Sequence, residues 1–316
     1  MNLPTIEDVR AAAERIAGVA RNTPLLRCDA LDDAAGAKVW VKAECLQQGG
    51  AFKLRGAVNA VSALGADGRK NGVLAYSSGN HAIAVATAAK LFGVPAVIVM
   101  PADAPRAKLE RTRALGAEVV TYDRVRESRE EIGQRIARER ALPLVKPFDD
   151  PFVMAGQGTI GLELATALPS LDAVFAPASG GGLAGGIATA LPGVKVFAVE
   201  PAEHDDIARS LEAGKIVSNA PGVRSICDAL LVEHMSELTF AVAQARLAGA
   251  VSVTDDEARA AMRFAFEELK LVLEPSGATS LAAVLTHKAD IAGKTVAVVA
   301  SGGNVDAEAF AATLAQ

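Results

Sequence analysis

The chain has 316 residues, of which 51% are hydrophobic and 22% charged, and a formal net charge of −5. That supply of apolar surface fits a globular core and excludes a disordered chain. The mild acidity, with one Trp and two Tyr, argues against a nucleic-acid partner.

Residues 1–18 carry acids where an export signal needs cations, and they read as an amphipathic helix. Cys28, Cys45 and Cys227 are far apart and without C-x-x-C spacing, which suits a reducing compartment, so a cytoplasmic location is expected. The most apolar runs, Val94 to Met100 and Thr295 to Ala300, are too short to span a bilayer and read as core strands, so no membrane partner is expected.

Along the chain, Val/Ile-rich runs alternate with Ala-rich amphipathic segments. VLAYS precedes a helix from about Asn80, VPAVIVM one from about Ala104, and AEVVTY one near Arg126 to Arg140. The alternation resumes with DAVFAPA, a glycine-rich turn and LAGGIATAL. It continues through VKVFAVE, a long helix from about Asp255, and TVAVVAS. This pattern predicts an α/β protein with two mostly parallel sheets covered by helices. Between the two series, Pro and Gly interrupt LVKPFDDPFVMAGQGTIGLEL before a helix from about Gly156, which places a lobe boundary there.

Three polar turns follow predicted strands, the position where open α/β sheets bind ligands. In the first, Ser77, Ser78, Gly79, Asn80 and His81 could hold a carboxylate; a single N-cap would need only one such residue. In the second, glycines 180, 181, 182, 185 and 186 bring a backbone close to a helix start, where phosphate is the natural ligand. Gly180, Gly182 and Gly185 also fit G-x-G-x-x-G with Glu200 beyond, so a nicotinamide oxidoreductase is a rival reading at this point. The third turn, SGGNVD, begins at Ser301.

Lys53 stands in the first turn of a predicted helix whose buried stripe includes Phe52, Val58 and Val61. The positive end of a helix and partial burial both disfavour an ammonium there, which frees the amine as nucleophile or base. Four scattered histidines and the absence of G-x-S-x-G give no zinc site and no hydrolase elbow.

Taken in order, RNTPLL at 21, FKLRGA at 52, SSGNH at 77, MPADAPRAK at 100, GQGTIGLE at 156, SGGGLAGG at 179, VEP at 199, EPSGA at 274 and SGGNVD at 301 carry a resemblance. The chain resembles the fold type II (β-family) pyridoxal-phosphate enzymes, most closely the serine/threonine dehydratase and serine racemase branch. The resemblance implies a two-lobed, tryptophan-synthase-β-like fold. Residues 1–50 and 150–316 would form the large lobe, 51–149 a smaller inserted one, and the chain a homodimer. It implies that Lys53 is the Schiff-base lysine, that Phe52 and Asn80 cradle the pyridine ring, and that Gly180, Gly181, Gly182 and Leu183 hold the phosphate. Ser301 would face the ring nitrogen, where a neutral hydroxyl favours prompt elimination.

Ser77, Ser78, Gly79 and His81 would bind the substrate carboxylate, and Ser78 would protonate the opposite face in racemases. Arg129 and Ser225 stand where relatives contact the substrate or shape its pocket. Glu200, Asp206, Glu274 and the His204 carbonyl match positions that bind Mg²⁺ or Ca²⁺ in relatives. The chain departs from the branch at Ala51, at Ala82–Ile83, and at Pro221 of Ala220–Pro221–Gly222. The expected activity is dehydration and deamination of threonine or serine. Serine racemization, 3-hydroxyaspartate dehydration and a turnover-deficient cofactor-binding protein are the alternatives.

Overall fold

A computed structural model of the chain describes residues 2–104, 106–123 and 125–315, without the side chain of Ala107. Pro105, inside the MPADAPRAK motif, lies outside the described residues. Among the described residues nine strands form two sheets: β1 (Leu25–Leu26), β2 (Lys38–Lys42), β3 (Val73–Tyr76), β4 (Ala96–Pro101), β5 (Glu118–Tyr122), β6 (Ala173–Pro177), β7 (Lys195–Pro201), β8 (Gly249–Val253) and β9 (Thr295–Val299). The larger sheet runs β1-β2-β9-β6-β7-β8 and the smaller β3-β4-β5. All pairings are parallel except β1 with β2. Leu144 bridges Leu74 in parallel, so residues 143–145 lengthen the small sheet beside β3.

Alternation along each strand splits the apolar side chains between two faces. On the small sheet, Val73, Ala75, Ile98 and Met100 pack with Leu54, Val58 and Val85, while Leu74, Val97 and Val99 pack with Ile136 on the other side. On the large sheet, Val39, Phe175 and Val298 face Met262 and Leu281. Val174, Ala198 and Val299 face Ile160, Leu183 and Ile187. Near-continuous burial on both faces is what a parallel sheet between helix layers requires.

The helix expected from about Gly156 begins earlier, at Pro151. The Asp150 carboxylate accepts from the amides of Phe152 and Val153, and Pro151 occupies the first turn, where it forfeits no hydrogen bond. Its glycines serve contact, not interruption. A Cβ on Gly156 would lie 2.6 Å from the Cα of Gly56, and one on Gly158 2.6 Å from the Gly186 carbonyl. Backbone therefore meets backbone where this helix crosses the helices Lys53–Ala63 and Gly182–Ala190.

The helix expected near Arg126 starts at Arg129, capped by Ser128, and the one expected near Ala104 is Arg106–Ala114. The helix from Asp255 is regular to Phe264 and continues as a π turn over Ala265–Leu269. No helix among the described residues is long and apolar enough to cross a membrane.

Candidate active site

The ends of β3, β6 and β9 open into the three polar turns; the segment Val145 to Phe148 links the first two to Lys53, and Ala51 and Phe52 link Lys53 to the third. Lys53 is the first residue of its helix, and its Nζ donates to the Pro147 carbonyl at 2.9 Å. Burial lowers the amine pKa to about 8. Two residues earlier, the Val145 carbonyl lies 2.8 Å from His81 Nε2. One residue later, Phe148 covers the glycine turn so closely that a Cβ on Gly180 would lie 2.4 Å from its ring. The Phe52 amide donates to the Ser301 carbonyl at 3.0 Å, and Ala51 bridges Gly302. Lys53, the glycine turn, the Ser-Ser-Gly turn and the Ser301 turn thus converge.

The glycine turn ends in Gly181, at φ 82°, which N-caps the helix Gly182–Ala190 without any side-chain cap. The first amides of that helix have no intrahelical acceptor, and Gly182, Leu183 and Ala184 are buried. Buried, uncapped amides at the positive end of a helix dipole suit a phosphate. In the first turn, the Ser77 hydroxyl accepts from the Gly79 amide at 3.2 Å, and a Cβ on Gly79 would meet nothing within 4 Å. Open space therefore lies beside Ser77 and Ser78, both half-buried.

The ring of His81 faces away from that space, toward the Val145 carbonyl. A carbonyl only accepts, so Nε2 carries the proton given to Val145, and Nδ1 is a bare, buried lone pair without a partner among the described residues. Burial, reinforced by the charge of Lys53, pushes the imidazole down to about 3. A neutral ring with its one N–H engaged has nothing to donate to a carboxylate. The amides of the turn, that of His81 among them, and the hydroxyls of Ser77 and Ser78 are the donors such a group could meet.

The expected cation set is also not one cluster, for the described residues contain no group of three ligating side chains. Glu274 instead accepts from Asn80 Nδ2 at 2.5 Å, beside the Lys53 and Ser301 turns. Burial pushes its carboxyl up to about 7. Glu200 accepts from the amides of Ile207 and Ala208 at 2.9 and 3.0 Å, and burial raises it well above the ordinary carboxylate range. Asp206 is raised to about 6 by burial, and its Oδ2 is buried without a partner among the described residues.

Ser225 is engaged with Asp255 at 2.5 Å and caps the Cys227 amide. Arg129 pairs with Glu130 and lies 5.5 Å from the ring centroid of Tyr76, the residue before Ser77. A hollow of about 350 Å³ lined by Lys90, Val94 and Leu115, among others, contains none of these residues.

Comparison with known proteins places this geometry in a family. The model of the pyridoxal-phosphate dependent enzymes matches residues 16–302. A curated relative, L-threo-3-hydroxyaspartate ammonia-lyase of Saccharomyces cerevisiae, is 43% identical over 98% of this chain and 96% of its own length. Serine racemase of Schizosaccharomyces pombe is 40% identical over 99% and 98%. The structure of maize serine racemase superposes with a TM-score of 0.94 at 37% identity, covering 99% of this chain and 98% of the other.

The chain belongs to the pyridoxal-phosphate dependent enzymes. Within them its fold is that of type II, and its relatives are ammonia-lyases and serine racemases. The nicotinamide reading of the glycine turn accounts for none of the other turns. The residues fit the cofactor the family implies: a half-buried amine of lowered pKa, an uncapped helix start, and a Ser301 hydroxyl without a hydrogen bond among the described residues.

Proposed function

We propose that the enzyme removes water and ammonia from a small β-hydroxy amino acid, giving a 2-keto acid. The observation that carries this reading is the pair of contacts on one short segment, Lys53 to Pro147 and His81 to Val145. They bring a lysine of lowered pKa beside a turn suited to a carboxylate.

Lys53 would carry pyridoxal phosphate, with the amides of Gly180, Gly181, Gly182 and Leu183 on its phosphate, Phe52 and Asn80 at its ring, and Ser301 at its ring nitrogen. When bound, the cofactor withdraws electrons from the α-carbon of an attached amino acid and so acidifies its α-proton. Ser77, Ser78 and Gly79 hold the α-carboxylate and fix which face of the α-carbon meets Lys53. Freed when the amino acid takes its place on the cofactor, the Lys53 amine would take the α-proton, and that proton would pass to the β-hydroxyl, which leaves as water. Water added later to the same carbon skeleton releases ammonia, so the net change is substrate to keto acid plus ammonium. In a racemase reading of the same site, the Ser78 hydroxyl returns a proton to the opposite face.

A second reading, 3-hydroxyaspartate as substrate, is favoured by the cations around Tyr76. Arg129 stacks on its ring, and Lys146, paired with Asp149 at 2.6 Å, also acts on the Tyr76 hydroxyl. Tyr76 directly precedes the carboxylate turn, and by the resemblance Arg129 stands where relatives contact the substrate. The test is keto-acid release from cofactor-loaded protein given L-threonine, L-serine, D-serine and the 3-hydroxyaspartate isomers in parallel. Release from at least one is expected, and silence on all with the cofactor bound defeats the lyase reading. Under the second reading Arg129→Gln lowers kcat/KM for 3-hydroxyaspartate by about tenfold while sparing L-serine; an equal loss on both substrates sinks it.

The proposal includes a divalent cation, Mg²⁺ or Ca²⁺, on Glu200, Asp206 and the His204 carbonyl. Two buried carboxyls that burial drives toward neutrality, one with an orphan oxygen, suit a hard cation that would restore their charge. Chelation is expected to lower the melting temperature of the parent and leave Asp206→Asn unmoved. Equal responses of the two proteins would remove the cation from the proposal.

A further inference from the structure

The SGGNVD turn contains a polar side chain to which the reaction assigns no part, Asn304, and it stands where four chain segments cross. Its Nδ2 donates to Asn80 Oδ1 at 2.7 Å and to the Gly49 carbonyl at 2.8 Å. Its Oδ1 accepts from Arg111 Nη1 at 2.7 Å, and the Arg111 guanidinium also reaches the Gly49 carbonyl at 3.4 Å. At the far end, Asn80 Nδ2 donates to Glu274 Oε1 at 2.5 Å.

The chain of contacts has a direction. A guanidinium only donates, so the Asn304 atom facing Arg111 is its oxygen, and the atom facing Asn80 is its nitrogen. Asn80 must therefore turn its oxygen to Asn304 and its nitrogen to Glu274. Glycines clear the path: a Cβ on Gly50, at φ 79°, would lie 2.4 Å from Asn304 Oδ1, and one on Gly302 2.1 Å from Glu274 Oε1.

We propose that Asn304 is a positioning residue: it fixes the amide orientation of Asn80, so that Asn80 presents an N–H and not a lone pair to the cofactor ring. Arg111, on the helix Arg106–Ala114, sets Asn304 and thereby ties the side of the cleft that carries this helix to the ring. The inference rests on the proposed function and on the resemblance, which implies that Asn80 faces the 3′ oxygen of the cofactor ring. With one N–H committed to Glu274, Asn80 keeps a second for that oxygen and stabilises its anionic form. A flipped Asn80 would oppose oxygen to oxygen and favour the protonated form, which absorbs at shorter wavelength.

Asn304→Asp retains the shape and the Arg111 contact but removes the donor, so Asn80 must turn its nitrogen toward residue 304. Apoprotein of parent, Asn304→Asp and Asn304→Ala would be titrated with pyridoxal phosphate, reading the visible spectrum, the cofactor Kd and the melting temperature. Asn304→Asp is expected to move absorbance from the long-wavelength to the short-wavelength band and to raise Kd by about tenfold. Asn304→Ala, which frees Asn80 without reversing it, should shift the bands less. Variants with parental spectrum and Kd overturn the inference, including when the melting temperature falls, since that pattern belongs to a merely structural tie. A parent without any cofactor band would instead overturn the assignment of the site, and the inference with it.

Discussion

Lys53→Ala should lower turnover by about 10²–10⁴-fold, the range for a lost acid–base group, in a protein that still folds. The lysine stands at the first position of its helix, half-buried, so truncation leaves the strands and the glycine-lined crossings intact. The same residue predicts a pH signature that needs no substrate. Because burial lowers its pKa to about 8, the neutral amine is far more abundant near neutral pH than for an ordinary lysine. The rate at which an aldehyde probe labels Lys53 should rise about tenfold per pH unit below that value and level off above it. Labelling that keeps rising to the ordinary lysine range would show that the cleft does not desolvate the amine. Near-parental turnover in Lys53→Ala would remove the lysine from the mechanism.

Where the sequence was legible, local order was enough. Strands β3 to β7 and β9 are compact Val/Ile/Ala runs bounded by turns, and each of the three polar turns follows one of them. Strands whose neighbours supply their reason were not. Lys38–Lys42 carries two lysines and gains its place from pairing with β9 in parallel, more than 250 residues on. Gly249–Val253, half-buried along most of its length, is held by β7.

The site divides in the same way. Lys53 could be suspected from its own helix, but its contact with Pro147 spans 94 residues, and nothing local marks Val145 to Phe148 as the segment that joins the lysine to the first two turns. Glu274 was grouped with Glu200 and Asp206 by resemblance, whereas its partner is Asn80, 194 residues away. The tautomer of His81 follows only from the carbonyl it faces.

The second large effect is expected at Arg55, two residues after the lysine and 0% exposed. Its guanidinium meets Glu44 in a bidentate pair at 2.8 and 2.9 Å, and Glu163 at 2.6 and 3.0 Å. It also donates to the Thr159 hydroxyl and the Arg21 carbonyl. Lys42, 1% exposed, completes the group by pairing with Glu163 at 2.5 Å. Two cations and two carboxylates thus balance between β2, the lysine helix and the helix Pro151–Ala167. Their mutual attraction must first offset the desolvation of all four, so the group contributes modest net stability, yet loss of one member leaves a buried charge uncompensated. Arg55→Met is therefore expected to destabilise by about 3–5 kcal/mol and to lower the melting temperature by roughly 10 °C. The charge left behind at Glu44, itself 0% exposed, is the main cause, so adding Glu44→Leu should recover part of the loss. A double variant as unstable as the sum of the two single ones would show that the residues act independently. Because the group clamps the helix that begins at Lys53, Arg55→Met should also lower kcat at temperatures where it remains folded, through a displaced amine. Unchanged kcat in the folded variant would confine the network to stability.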